Sequence, residues 1–184
     1  MSKEDYFGAY YHKKDYGLMH IADRKNCPGK KFFTWGNDSR GHLWTKVLTD
    51  NDGPYIEIQS GRFEVQHEQD FIKPFTMESW DEYWYVPSGL EGVSHANKDA
   101  AINVTVKNNG KIKIAVNATS KLNNPELLLK SKNKVIWNSK IQLGPESPFK
   151  KEFALPAKAL GKEIRIELID PKTGSKIIAY DKKI

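Results

Sequence analysis

The feature that most constrains the fold is a series of short alternating segments in the second half of the chain. After Asp99, apolar and polar residues alternate in AINVTVK and KIKIAVNAT, with NNG between them. Such alternation is typical of strands with one buried face, and a short Asn/Gly turn favours a hairpin. Five further candidate strands follow: PELLLKS, KVIWNSKI, FKKEFAL, KEIRIELID and SKIIAYD. About seven short strands with turns between them predict an immunoglobulin-like β-sandwich, to which PAKALGKE adds one helical turn.

In the first half of the chain, the predicted strands are longer and richer in aromatic residues than those after Asp99. The candidates are YFGAYY, GLMHIAD, KKFFTWG, PYIEIQSG and SWDEYWYVP. No segment shows a strong period of 3.6 residues, so we predict an all-β chain. Because aromatic or apolar residues occur on both faces of these strands, we expect them to lie within a larger pair of sheets.

Charge and aromatic residues divide the chain into two parts. Residues 1–98 contain 12 basic and 15 acidic residues, whereas residues 99–184 contain 17 basic and 8 acidic ones. Of the 21 aromatic residues, only four lie in the second part. This shift in composition predicts two domains, residues 1–95 and 96–184. We expect a short junction at residues 92–100 that proteases cut early.

Several classes of function are not favoured by the sequence. The basic residues of the second part are mostly scattered lysines without interleaved aromatic residues, a pattern that does not favour nucleic-acid binding. No apolar run is long enough to span a bilayer. The single cysteine, Cys27, reads as a half-buried thiol, and the five histidines show no metal-binding spacing. No phosphate-binding or dinucleotide motif occurs, so we predict neither a metal nor a cofactor.

The residue pattern around Glu57 is the strongest indication of function. In the predicted strand PYIEIQSG, Tyr55, Glu57 and Gln59 share one face, opposite Ile56 and Ile58. A carboxylate and an amide on one strand face need either solvent or a binding site. Sugars present apolar C–H faces and hydroxyl groups, so a sugar site combines aromatic rings with carboxylates, amides and arginine. The alternative is that the surrounding aromatic residues form only a sandwich core.

Several motifs give the chain a family resemblance. IEIQSGRFEVQHEQDFIKP resembles the C-terminal catalytic strand and following loop of galactose-mutarotase-like proteins, with Glu57, Gln59 and Pro74 at the matching positions. The closing strand would be MESWDEYWY. Together with HIADRKNCPGKKFFTWGND and ANKDAAINVTV, this pattern resembles an uncharacterised bacterial domain family of that superfamily, often found ahead of tetratricopeptide repeats. The resemblance implies that the first domain is the C-terminal part of a mutarotase-like β-supersandwich.

The resemblance also implies roles for individual residues. Glu57 takes the position of the general base that, in mutarotases, removes the proton of the anomeric hydroxyl. Glycoside cleavage, transfer or epimerisation in a full-length enzyme would likewise need a positioned carboxylate, since a proton must leave a hydroxyl group or water. The general acid of mutarotase-like proteins, a histidine on an earlier strand, has no matching position in this sequence. We therefore expect the isolated chain to be inactive. The expected substrate-binding residues are Gln59, Trp35, Trp44, Arg62, His67, Trp80, Glu82 and Trp84.

Two expectations concern the wider context of the chain. Because a predicted strand begins near residue 6, we expect an exposed apolar or sheet-edge surface that a missing N-terminal segment or another subunit covers. The expected ligand is a carbohydrate, with no nucleic acid or membrane as partner. A periplasmic and a cytoplasmic location of the full-length protein both stay open. The alternative function is a non-catalytic structural or adhesion module built from β-sandwiches.

Overall fold

A computed structural model describes residues 3–107, 110–132, 134–154 and 162–184. Within these ranges the chain forms thirteen strands and one helix. In chain order, the elements are β1 (Tyr6–Tyr11), β2 (Tyr16–Ile21), β3 (Lys31–Thr34), α1 (Ser39–Leu48), β4 (Ile56–Gln59), β5 (Tyr83–Tyr85), β6 (His95–Ala96), β7 (Ala100–Val106), β8 (Lys111–Ala118), β9 (Glu126–Ser131), β10 (Lys134–Lys140), β11 (Phe149–Ala154), β12 (Glu163–Ile169) and β13 (Lys176–Lys183).

The predicted all-β fold class is confirmed. Each of the seven strands predicted after Asp99 has a counterpart among β7 to β13, and each of the five predicted earlier has one among β1 to β5. The turn predicted in PAKALGKE lies largely in residues 155–161, outside the described residues. The assignment of residues 1–95 to a mutarotase-like supersandwich remains a prediction.

The chain divides into two compact units. The first contains residues up to Phe7 and Ala22–Glu82, and the second contains Gly8–Ile21 and Tyr83–Ile184. The boundary predicted between residues 95 and 96 remains a prediction, since compactness does not report which residues fold independently. Among the described residues, no helix has the length and apolar character needed to cross a membrane.

The second unit contains two four-stranded antiparallel sheets, ordered β11-β8-β7-β6 and β10-β9-β12-β13. The chain changes sheet between β8 and β9, between β10 and β11, and between β11 and β12, which is a Greek-key connectivity. The inward residues form one apolar core, to which Ile102 and Ile114 contribute from the first sheet and Leu129 and Ile166 from the second. Two packed antiparallel sheets over one core make this an immunoglobulin-like sandwich.

The three-stranded sheet β1-β2-β5 belongs to the second unit, apart from Tyr6 and Phe7. Polar contacts attach it to the sandwich. The Tyr10 hydroxyl donates to Asp15 Oδ1 at 2.8 Å and accepts from the backbone N–H of Leu90 at 2.9 Å. Lys150 Nζ of β11 lies 2.9 Å from Asp15 Oδ2. The β1–β2 turn is therefore tied to sandwich residues more than seventy positions away in sequence.

The junction expected to be cut early is instead part of the sandwich. The short strand β6 pairs with β7, so His95 lies opposite Ile102. The side chain of Asn97 donates to the carbonyl of Ile177 at 2.7 Å, and Ser94 Oγ accepts from the N–H of Val104 at 3.0 Å. Paired backbone and buried contacts protect a segment from proteases.

We expect proteases to cut first between Glu64 and Asp81. Every residue of that range is exposed and none belongs to a strand or helix. Brief digestion with proteinase K, followed by mass spectrometry of the fragments, should therefore give first cuts in this range. First cuts at residues 92–97 would contradict the expectation.

The first unit contains the two-stranded sheet β3-β4 and the helix α1. The helix was not predicted from the sequence. It begins after Asp38, whose side chain accepts a hydrogen bond from the N–H of Gly41 at 2.7 Å, and it ends at the cap residue Thr49. Its apolar residues Leu43, Trp44, Val47 and Leu48 are all exposed. The helix therefore places an apolar stripe on the surface of this unit rather than in a core.

An ion-pair network covers the outer face of the sheet β10-β9-β12-β13. Its centre is Glu167 of β12, which is only 6% exposed. Lys130 Nζ lies 2.5 Å, Arg165 Nε 2.8 Å and Lys176 Nζ 3.4 Å from its carboxylate. Burial alone would raise the pKa of Glu167, but the hydrogen bonds from Lys130 and Arg165 outweigh it and lower the pKa to about 2.

We expect Glu167 to make the sandwich sensitive to acid. Because its folded-state pKa lies below the unfolded value of 4.5, its contribution to stability is fully present above pH 4.5 and is lost as the pH falls towards 2. The shift corresponds to about 3 kcal/mol, which solvent screening of the partly exposed cations reduces to roughly 1–2 kcal/mol. Urea unfolding should show that the advantage of the wild type over Glu167→Gln shrinks by this amount between pH 6 and pH 2.5.

The matched control is Glu163→Gln, on the same strand but exposed. We expect its free energy of unfolding to follow that of the wild type at every pH. A constant difference between the wild type and Glu167→Gln across this pH range would show that the carboxylate charge does not stabilise the sheet.

Candidate functional site

The antiparallel pair β3-β4 brings the predicted site residues onto one face. In its register, Phe33 lies opposite Glu57 and Lys31 lies opposite Gln59. Directly opposed residues in an antiparallel pair point to the same side of the sheet. Glu57 and Gln59 of β4 therefore share a face with Phe33 and Lys31 of β3, as the alternation in the sequence predicts for the β4 residues.

This polar face is the more enclosed of the two. Glu57, Gln59 and Phe33 are all half-buried. On the opposite face, Phe32 is 50% exposed and Ile56 is 42% exposed. A solvated surface strand would show the reverse, with its apolar residues covered and its carboxylate in water. The side chain of Glu57 is thus partly shielded from solvent, whereas the side chain of an ordinary surface glutamate is exposed.

The side chains of Glu57, Gln59 and Gln66 form a hydrogen-bonded chain. The amide nitrogen of Gln59 donates to Glu57 Oε1, and its amide oxygen accepts from Gln66 Nε2 at 2.8 Å. Glu57 makes no ion pair in the described part of the chain. Its carboxylate is therefore held in place by an amide, and an oriented carboxylate can accept a proton from a hydroxyl group.

An aromatic cluster lies at the end of the β3-β4 pair. The ring of Trp35, just after β3, lies 5.8 Å from the ring of Tyr55 and 6.2 Å from that of Trp44 on α1. Trp44 is 46% exposed. The indole N–H of Trp35 is buried and has no hydrogen-bond acceptor among the described residues. Buried polar groups are rarely left unsatisfied, so this unpaired donor is an unusual feature of the cluster.

The backbone around Gly41 holds Trp44 close to Trp35. A Cβ atom at Gly41 would lie 2.3 Å from the carbonyl oxygen of Trp35 and 2.4 Å from that of Gly36. Only glycine permits this close approach. The first turn of α1 therefore packs directly on the Trp35–Gly36 backbone, which positions Trp44 one turn further along the helix.

Two other predicted residues, Glu82 and Trp80, form a separate cluster with Ser60 and Cys27. One carboxylate oxygen of Glu82 accepts from Trp80 Nε1 at 2.7 Å and lies 3.6 Å from Cys27 Sγ, while the other accepts from Ser60 Oγ at 2.5 Å. Cys27 is fully buried, and burial followed by the charge of Glu82 raises the pKa of its thiol. The contacts of Glu82 anchor the end of the exposed 64–81 segment.

Arg62 is engaged by carboxylates of the same exposed segment. Its Nε and Nη2 atoms contact the two oxygens of Glu78 at 2.5 and 2.7 Å, and Nη2 lies 3.4 Å from Asp70. Its guanidinium also lies over the ring of Phe63, 4.7 Å from the centroid. Arg62 thus fastens the 64–81 segment, and a bidentate pair of this kind competes with any ligand for its donors.

The two remaining predicted residues do not join these clusters. His67 is exposed within the 64–81 segment. Trp84 of β5 belongs to the second unit, where its ring lies 4.6 Å from that of His20, which is buried. The structure of the first unit thus brings Glu57 and Gln59 into contact on β4, and it brings Trp35 into contact with Trp44 and Tyr55 at the end of the β3-β4 pair. The predicted absence of a metal or cofactor remains a prediction.

Sequence reasoning missed three residues of this face: Phe33, Lys31 and Gln66. Phe33 and Lys31 could have been found from the alternation in KKFFTWG, once that segment is paired antiparallel to PYIEIQSG. No local signal identifies Gln66, because it reaches Gln59 from a segment without regular structure.

Two different family models match the two parts of the chain. Residues 1–87 match the model of a domain of unknown function (DUF5107), and residues 95–180 match the model described as YphG-like protein, second domain. No solved structure shows a significant match to the chain. Residues 1–87 are therefore similar to an uncharacterised domain family, and residues 95–180 are similar to the second domain of YphG-like proteins.

Proposed function

We propose that the polar face of β3-β4 recognises a carbohydrate, and that Glu57 is the general base of a carbohydrate-processing reaction in the full-length protein. The relation to galactose-mutarotase-like proteins is part of this proposal. Its main support is the sheltered carboxylate of Glu57, which is oriented by Gln59. Glu57 lies two positions after Tyr55 of the aromatic cluster.

The aromatic cluster supports a sugar rather than another polar ligand. The exposed ring of Trp44 offers an apolar platform, and it lies beside Trp35, whose buried indole N–H has no acceptor among the described residues. Glu57 and Gln59 supply acceptors and an amide beside them. A sugar has apolar C–H faces, which pack on an aromatic ring, and hydroxyl groups, which hydrogen-bond to carboxylates and amides.

A glycan array probed with the longest natural form of this protein would identify the sugar. The affinity of the isolated chain should then be measured by titration with tryptophan fluorescence. We expect millimolar binding, at about −4 kcal/mol. Trp44→Ala should weaken binding roughly 3- to 10-fold, since an aromatic contact contributes about 0.5–1.5 kcal/mol.

The matched control is Trp137→Phe, because Trp137 lies in the second unit and packs against Phe153. Its affinity for the sugar should equal that of the wild type. If no glycan binds, or if Trp44→Ala and the wild type bind equally, the sugar site is not on this face.

The second candidate function is a non-catalytic structural or adhesion module, and the exposed apolar residues of the first unit favour it. Phe71, Phe75 and Met77 are each at least 87% exposed, in addition to the apolar stripe of α1. Phe32 and Ile56 expose the apolar face of β3-β4. These residues also support our proposal that a further segment or another subunit covers this unit.

A further inference from the structure

A cleft of about 340 Å³ opens at one end of the sheet β10-β9-β12-β13. It lies where β9 ends and β12 begins. Four cationic side chains and two carboxylates line it: Lys130, Lys132, Lys162, Arg165, Glu163 and Asp181. The lining therefore carries a net charge of two positive units at neutral pH. This cleft belongs to the second unit, and the proposed sugar face belongs to the first.

Two of the four cations are already neutralised by the ion-pair network. Lys130 contacts Glu167, and Arg165 contacts both Glu167 and Asp181, the latter at 2.7 Å. Their side chains are therefore fixed by carboxylates on the sheet. They form a rigid floor to the cleft but have few donors left for a ligand.

The two lining cations outside this network are Lys132 and Lys162, and the one described lining carboxylate outside it is Glu163. Neither ammonium group has an ion-pair partner within the described ranges, and those ranges include every aspartate and glutamate of the sequence. Both backbones are held in place. Lys132 has a φ of 48°, in the tight turn after β9, and the carbonyl of Lys162 accepts from the N–H of Ile184 at 3.1 Å. Two uncompensated lysines thus flank a cleft with a fixed floor.

We propose that this cleft binds a dianionic tetrahedral oxyanion, as the sulfate or phosphate ester of a small molecule, with Lys132 and Lys162 donating to its oxygens. Lysine presents three donors and no acceptor, and it binds such oxyanions as a point charge. The two lysines outside the ion-pair network carry two positive charges and Glu163 carries one negative charge, so the described lining keeps a net positive charge that favours an anion. A volume of about 340 Å³ is at the small end of the range for ligand pockets. The proposal does not depend on the proposed carbohydrate function.

A nucleic acid fits the cleft less well than a single ester group does. Binding of a strand without regard to sequence combines positive charge with aromatic rings on which bases stack. None of the described residues that line the cleft is aromatic. The local chemistry therefore favours one anionic group rather than a polyanion.

The test is a titration of the ¹⁵N-labelled chain, followed by NMR through its backbone amides. Inorganic sulfate and inorganic phosphate are the first probes, with chloride at equal ionic strength as the reference. Glucose 6-sulfate and glucose 6-phosphate, compared with glucose, then distinguish the two kinds of ester. We expect saturable shifts at residues 130–132 and 162–165 with sulfate or phosphate but not with chloride.

The double variant Lys132→Gln/Lys162→Gln should raise the dissociation constant by about 10-fold or more, because two charged hydrogen bonds are lost. The matched control is Lys140→Gln, an exposed lysine at the far end of β10, which should change the constant less than about 2-fold. Equal affinity of the double variant and the wild type would overturn the proposal. So would shifts that chloride reproduces, or an oligonucleotide that binds in the cleft more tightly than either ester.

Discussion

Replacing Glu57 with glutamine is expected to lower the turnover of the full-length protein by about 10²-fold or more, which is the usual contribution of a general base. Sugar affinity should change little. Glutamine has the shape of glutamate, and its amide oxygen can still accept the hydrogen bond from Gln59 Nε2 that orients the side chain. What the substitution removes is the capacity to take a proton from the reacting hydroxyl or from water.

The measurement is the steady-state rate of the variant and the wild type on the sugar that the array identifies. A loss of rate at unchanged affinity is the signature of a group that acts in the chemical step. The matched control is Glu64→Gln, since Glu64 is an exposed glutamate of the same unit. If Glu57→Gln turns over at the wild-type rate, Glu57 has no part in the mechanism, and the structural or adhesion module becomes the better account.

The sandwich could be predicted from the sequence because each of its strands can be recognised from the alternation of its own residues. In the sequences of β7, β8 and β12, the large apolar residues of the core, such as Ile102, Ile114 and Ile166, alternate with polar residues or alanine. Short turns separate the strands. A period of two with one buried face specifies both the strand and its inward side. No long-range contact is needed to recognise such a strand.

The helix α1 could not be predicted in the same way. Its apolar residues, Leu43, Trp44, Val47 and Leu48, all lie in its last six residues, so the periodic stretch is too short to identify a helix. Gly41 in its first turn also lowers its intrinsic preference for helix. The remaining signal is the cap at Asp38, and Asp-Ser sequences occur equally in turns. The helix forms here because its first turn packs on the backbone of Trp35 and Gly36.

The candidate site was only partly accessible to sequence reasoning. Alternation placed Glu57 and Gln59 on one face of a strand, but it could not say that this face is the sheltered one. That depends on the pairing with β3 and on Gln66. Glu82 shows the limit most clearly, because its contacts with Ser60 and Cys27 span 22 and 55 positions of the chain. Only the folded chain shows that it anchors the 64–81 segment.

The substitution Ile166→Ala is expected to lower the free energy of unfolding of the sandwich by about 2–5 kcal/mol. Ile166 has no exposed surface, and its neighbours across the strands are Leu129 of β9 and Tyr180 of β13. Truncation removes buried methyl and methylene groups and leaves a cavity that a rigid central strand cannot close. Urea unfolding followed through the fluorescence of Trp137, which packs against this core, would measure the loss.

The matched control is Val135→Ala on the edge strand β10, where the valine is 52% exposed. We expect its effect to stay within about 0.5 kcal/mol, as for other surface positions. Both variants remove only aliphatic groups, so the difference between them isolates the contribution of burial. If Ile166→Ala costs less than about 1 kcal/mol, the two sheets do not share the close-packed core described above. The fixed floor proposed for the oxyanion cleft would then also lose its support, because Arg165 is the neighbour of Ile166 on the same strand.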